Sequence, residues 1–346
     1  MSKVLIVLLI ILSVFSCSRQ EAKHDPGGRP LDKRKPMSWG QQQNIYIFAD
    51  DNVWKYGETY LRNSLERYYF TTENETYFEI RRISIDQLEQ FYRFNNLIFY
   101  CDLASEAPVS SYVKRIMGEQ VAADVSVDAA RLYPQHNLWA NDQYVLFILG
   151  DTEENLLKLN ILQANRIFEL FRQKLYDRIS NKIFSSPVYP AGEFRNWPWT
   201  LQLPRNYQLY RNLENENFVS YLARAKEKPD RYISVYYEPM LSDSIDREWL
   251  KETRADLAWK FYDEDYFLDK DIKFEKINLG EREAWKLSGR WQNRKHVMGG
   301  TFQSYAFYDK INRIAYLIDN SVYFPEGFKL AALIELEIIS QTLAIK

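Results

Sequence analysis

The chain has 346 residues, 45 basic and 47 acidic side chains, a formal charge of −2, and 16% aromatic residues, led by 25 tyrosines. That length suffices for two domains, and the balanced charge excludes the broad basic field that non-specific nucleic-acid binding requires. With only two cysteines and three histidines, a zinc site has too few ligands, and no metal or cofactor is expected.

The chain opens Met1-Ser2-Lys3, followed by an apolar run from Val4 to Phe15, broken only by Ser13. A short basic start followed by about a dozen apolar residues is the layout of a secretory signal. The run is too short to span a bilayer, which takes about 20 apolar residues. It ends Val14-Phe15-Ser16-Cys17, which resembles a lipobox, where an aliphatic and a small residue precede a cysteine that receives lipid and becomes the first mature residue. Phe15 is bulkier than the usual occupant. The expectation is a lipoprotein signal over 1–16, lipidation at Cys17, and a membrane-anchored envelope protein. Ser18 is not the aspartate that marks inner-membrane retention, which favours the outer membrane, periplasmic or surface face. Lipid on Cys17 leaves Cys101 without a disulfide partner.

Residues 17–43 are polar and aperiodic, with Pro26-Gly27-Gly28, Pro30 and Lys33-Arg34-Lys35-Pro36, and read as a flexible tether reaching about 30 Å. From 44 to 184, apolar strands alternate with helical patterns. Strands are expected at Ile45–Phe48, Tyr77–Ile83, Leu97–Cys101 and Tyr144–Leu149, and helices after Asp50-Asp51-Asn52, at Asp86–Arg93 and around Val109–Ala123. From Asp151 one long helix is expected, with Leu157, Ile161, Ala164, Phe168, Phe171, Leu175 and Ile179 as a single apolar stripe. Such alternation predicts an α/β layer.

Residues 185–196, with Pro190-Ala191-Gly192, read as a linker. A second unit, 197–346, has strands at Trp199–Pro204, Arg231–Tyr237, Lys273–Leu279, Arg282–Trp291, Thr301–Tyr308 and Arg313–Asn320, a helix over Ser244–Phe261 and a closing helix from Gly327. Successive strands with a closing helix predict an antiparallel sheet covered by helices, an order that resembles the PsbP-like fold. The fold class is therefore α+β in two domains.

Gly289-Arg290-Trp291, Met298-Gly299-Gly300-Thr301-Phe302-Gln303-Ser304-Tyr305 and Val322-Tyr323-Phe324-Pro325 resemble an uncharacterised bacterial lipoprotein family catalogued as domain of unknown function 4837. Asp50-Asp51-Asn52-Val53-Trp54, Asn95-Asn96-Leu97-Ile98 and Trp139-Ala140-Asn141-Asp142-Gln143 carry the same likeness, which covers essentially the whole globular part. The resemblance implies lipoprotein status and architecture, and no catalytic residues.

Neither a phosphate-binding glycine loop nor a G-x-S-x-G elbow is present. Asp50 and Asp51, at a strand end, fit an acid/base or metal pair but are explained more simply as helix caps. Asp263-Glu264-Asp265 with Asp269 and Asp271 lacks the glycine of a calcium loop and reads as solvated acid. Over 290–305, Arg290, Trp291, His296, Gly299 and Gly300 read either as a hairpin turn or as an exposed cationic and aromatic loop contacting an anionic, glycan or protein partner. Two functions follow. The first is a non-enzymatic envelope binding or assembly factor. The second is a hydrolase acting on peptidoglycan or another envelope glycan, for which Asp50, His136 and His296 would have to converge.

Overall fold

In the computed structural model, which describes residues 24–25 and 28–346, the apolar runs of the first unit form one sheet. Its strands are β1 (Asn44–Ala49), β2 (Glu79–Ile83), β3 (Asn96–Asp102), β4 (Ala130–His136) and β5 (Tyr144–Gly150), in the spatial order β2-β1-β3-β5-β4. All neighbours are parallel except β4, which runs antiparallel along β5. β1, β3 and β5 are buried at every residue, as parallel strands covered on both faces must be. Helices α1 (Asp51–Leu65), α3 (Glu153–Leu162) and α4 (Ala164–Phe184) cover one face, and α2 (Pro108–Asp128), broken at Gly118, covers the other.

The single helix expected from Asp151 is two. Thr152, not Asp151, is the N-cap and accepts from the Asn155 amide, and the helix ends at Leu162. Ile161 is exposed and Leu156 and Asn160 turn inward, so the stripe is continuous only from Ile167 onward.

The second unit is an antiparallel sheet with a helix on each face, as the sequence predicts. Its elements are β6 (Gln208–Leu213), β7 (Phe218–Ala223), β8 (Asp230–Pro239), α5 (Arg247–Phe261), β9 (Asp265–Tyr266), β10 (Ile272–Leu279), β11 (Arg282–Asn293), β12 (Gly299–Asp309), β13 (Ile314–Tyr323) and α6 (Leu330–Ser340). The spatial order is β9-β11-β12-β13-β8-β7-β6, with β10 also paired to β11. Leu250 and Leu257 of α5 pack on Phe302 and Leu317. Leu333 and Ile334 of α6 pack on Tyr305 and Ile318 on the opposite face. The strand expected over Trp199–Pro204 reduces to Trp199–Thr200, paired with Ala344–Ile345.

The two units share a core, because α4 and α6 lie against each other within one hydrophobic cluster. Glu75 of the first unit caps α6, accepting from the amides of Lys329 (2.7 Å) and Leu330 (2.9 Å). A carboxylate there both satisfies orphan donors and meets the positive end of the helix dipole.

The run expected to be a flexible tether is, where described, a strap docked on the first sheet. The Asn141 side chain accepts from the Asp32 amide at 3.0 Å and donates to the carbonyls of Asp32 and Lys35, each at 2.8 Å. Ser38 donates its amide to the Asn141 carbonyl, and the Trp39 ring packs on Phe94 at 4.7 Å. Gly40, at φ +99°, turns the chain into β1 where a Cβ would strike the Phe94 ring. Asn141 precedes β5 and Phe94 precedes β3, so the strap lies along the amino ends of the parallel strands. Cys17 and the rest of residues 1–23 lie outside the described residues.

Candidate functional site

Asp50 and Asp51 stand at the carboxyl edge of the first sheet, where ligand crevices of open α/β sheets form. Asp50 is buried and makes no side-chain bond to its own helix. Instead Oδ1 accepts from the Val109 amide (2.9 Å) and Oδ2 from the amide and hydroxyl of Ser110 (3.1 Å each), so it caps α2. Capping is therefore its role, but of a neighbouring helix. Asp51 is exposed and pairs with Arg82. His136 is at the opposite, amino edge, against the Tyr144 ring at 4.9 Å. Burial, with Arg29 and Lys174 nearby, pushes its pKa down to about 4, which keeps the imidazole neutral. His296 belongs to the other sheet. Asp50, His136 and His296 do not converge.

Cys101 is fully buried in β3, and burial pushes its thiol pKa up, as expected of an inert packing residue. Among the described residues no cluster of three or more His, Cys, Asp or Glu side chains could hold a metal ion.

The segment 290–305 forms the β11–β12 hairpin, and its residues separate into three kinds. Arg290 points to the first unit. Its Nε donates to the Thr71 carbonyl at 2.8 Å, its Nη2 to Asn74 Oδ1 at 3.0 Å, and its guanidinium stacks on Phe70. Gly299 and Gly300 pack rather than turn. A Cβ on Gly300 would lie 2.1 Å from the Val322 carbonyl and 2.7 Å from Trp291 Nε1, so only glycine lets β13 and the indole approach. Trp291 is 4% exposed, which corrects the expectation of an exposed aromatic loop. β11 continues to Asn293, two residues beyond the expected end, so the indole stays within the pleat and offers no open platform for a sugar ring. The exposed tip is the turn itself, where Asn293 Oδ1 accepts from the amides of Lys295 (2.9 Å) and His296 (2.8 Å).

Trp291 and His296 nevertheless meet in a pocket of about 160 Å³ beside this turn. Its walls include Tyr210, Tyr232, Phe261, Tyr262, Trp291 and Tyr323. Two of the ring pairs are Tyr210–Tyr232 at 5.6 Å and Trp291–Tyr323 at 6.2 Å. Asp263 and Asp265 supply carboxylates. Asp263 is neutralised by Lys295 at 2.9 Å, with His296 Nε2 at 3.4 Å. Asp265 accepts from Asn293 Nδ2 at 2.7 Å, yet burial pushes its pKa up to about 6, with Asn293 and Arg254 opposing the shift. Trp291 Nε1 is buried without a hydrogen-bond partner among the described residues.

Close to the pocket, Arg254 of α5 is 0% exposed, stacks 3.9 Å from the Phe302 ring centroid and lies 3.5 Å from Asp319 Oδ1. A buried ion pair of this kind must recover its desolvation cost from close partners. The Phe302 face lies against the guanidinium and the Ser304 hydroxyl donates to Asp319, but the three Arg254 guanidinium nitrogens and Asp319 Oδ2 have no hydrogen-bond partner among the described residues.

A carboxylate with a raised pKa inside an aromatic pocket is the kind of group that marks a working site. The sequence pointed to Trp291 and His296 but missed Asp265, read as solvated acid, and the tyrosines of β6 and β8, which come from distant strands.

No curated protein matches this chain in sequence. Among solved structures, a Bacteroides thetaiotaomicron VPI-5482 protein is similar at 12% identity and TM-score 0.28, over 46% of this chain and 47% of that one. The chain thus spans less than half of that structure's length. The Saccharomyces cerevisiae Ran-binding protein Mog1p is similar at 8% identity and TM-score 0.31, over 43% of this chain and 90% of its own. LpqN of Mycobacterium tuberculosis, described as involved in cell envelope biogenesis, is similar at 9% identity and TM-score 0.28, over 43% and 83%. These likenesses are distant.

The family match divides the chain where the sequence motifs suggested one likeness throughout. Residues 38–184, with the motifs at Asp50–Trp54, Asn95–Ile98 and Trp139–Gln143, match a separate family described as Domain of unknown function (DUF8532). Residues 195–342, which contain the hairpin and its pocket, match a family described as Domain of unknown function (DUF4837).

Proposed function

We propose that this chain is a lipid-anchored bacterial envelope protein whose second unit binds a small ligand or a partner's side chain in the pocket beside the β11–β12 turn. The pocket carries this reading. It combines six rings with a carboxylate whose pKa is raised to about 6. Such a lining selects a compact group with an apolar or planar body and a hydrogen-bond donor directed at Asp265. The anchor is Cys17, which follows an apolar run too short to span. Among the described residues no helix is long and apolar enough to cross a membrane.

Two measurements test the two halves. Radiolabelled palmitate is incorporated into the wild-type chain and lost in Cys17→Ser; label that persists contradicts the anchor. Amide exchange at residues 262–266 and 291–299 is slower in intact envelopes than in the purified chain. Equal rates in the two settings contradict an occupied pocket.

A further inference from the structure

The docked strap changes what an anchor at Cys17 would do. A tether free from residue 17 to 43 would let the folded part tumble away from the bilayer. The strap is instead engaged from Asp25, whose carboxylate accepts from the Arg29 amide and from Asn137 Nδ2. Only eight residue steps separate Cys17 from Asp25, and fully extended they span at most about 28 Å. An anchored chain therefore keeps the amino edge of the first sheet close to the lipid.

That edge has the composition of an interfacial surface. Met37 and Trp39 are 56% and 58% exposed. Arg29, Lys33 and Arg34 of the strap are exposed, as is Arg93 beside it. The strap's carboxylates are Asp32, paired with Arg34, and the buried Asp25. Tryptophan favours the headgroup level, and each basic side chain near an anionic leaflet adds attraction that fades within a Debye length. The chain as a whole is acidic, so this cationic and aromatic edge is a local departure.

We propose that the strap edge of the first sheet seats on the surface of an anionic bilayer, with Trp39 and Met37 at headgroup depth. The strap then acts as an orienting foot, and the carboxyl edge of the sheet, with Asp50 and the amino end of α2, faces away from the membrane. This inference rests on the anchor at Cys17 and goes beyond it, because a lipid alone fixes no orientation.

The test uses the full lipidated chain in vesicles of phosphatidylethanolamine and phosphatidylglycerol carrying headgroup-level nitroxide lipid. An environment-sensitive fluorophore is placed at Met37→Cys or, as control, at Ile311→Cys, which is 91% exposed in the second unit. Cys101 is fully buried and takes no dye. The proposal expects quenching several-fold stronger at 37 than at 311, lost when Lys33→Glu, Arg34→Glu and Trp39→Ala are combined while the chain still sediments with the vesicles. Equal quenching at the two positions on sedimenting vesicles overturns the seating and leaves the anchor intact. A chain that does not sediment, and takes a second dye at Cys17, overturns the anchor and the seating together. Strong quenching that survives the triple variant also overturns the seating by these residues.

Discussion

Replacing Asn141 by alanine removes the clasp that holds the strap. Its side chain makes one accepted and two donated hydrogen bonds, at 3.0, 2.8 and 2.8 Å, all to the backbone of Asp32 and Lys35. At about 1 kcal/mol net for each, Asn141→Ala costs the docked strap about 3 kcal/mol, which raises its opening on the order of a hundredfold. The backbone bonds from Ser38 to Asn141 and from Asn141 to Pro36 remain, so the effect stays local. Trypsin reads it, since Lys33 and Arg34 are exposed and followed by residues other than proline. Cleavage there is expected to accelerate on the order of a hundredfold, with the midpoint of global unfolding moving by only a few degrees. An acceleration of less than about threefold would refute the clasp, because loss of three bonds cannot be that small if they hold the strap.

Glu75→Ala removes both acceptors at the start of α6, costs about 1–2 kcal/mol, and loosens the contact between units; scanning calorimetry is expected to show a lower, broader transition. Gly300→Ala drives a methyl into the Val322 carbonyl, where overpacking against backbone costs about 3 kcal/mol, readable as a lower denaturant midpoint. Asp265 has its folded pKa raised to about 6 from 3.8, so its contribution is full below pH 4 and is lost as pH rises through 6. Asp265→Asn is therefore expected to gain stability relative to wild type between pH 4 and 6, and a gap that stays flat over that range would contradict the raised pKa. His136 behaves oppositely in acid. Its folded pKa is lowered to about 4 from 6.5, so its stabilisation, present above pH 6.5, is lost as pH falls toward 4, and His136→Phe is expected to flatten that acid limb.

The parts of the fold legible in the sequence are those whose burial is one-dimensional. Ile45–Phe48, Leu97–Cys101 and Tyr144–Leu149 are apolar at every position because both faces of a parallel sheet are covered. Ala130–His136 escaped notice because it is an edge strand, half-exposed and carrying Pro134. Gln208–Leu213 is likewise an edge strand with mostly exposed side chains. The strap reads as a flexible tether because no periodic pattern marks it; the group that clasps it to the sheet, Asn141, is about a hundred residues away in sequence. The pocket was half legible for the same reason. Trp291 and His296 stand in a conspicuous local motif, whereas Tyr210, Tyr232 and Asp265 reach it only through sheet topology. Asp265 looked like one acid among several in a polar loop, and its raised pKa arises from burial that only the fold creates.

The binding role of that pocket is tested most directly by a photoreactive amino acid at Tyr210, which is half exposed at the pocket, in living cells. The account predicts a discrete adduct at 210, absent from a control at Ile311 and lost in an Asp265→Asn background while the amount of chain is unchanged. No adduct at 210, or one indifferent to Asp265, would contradict it.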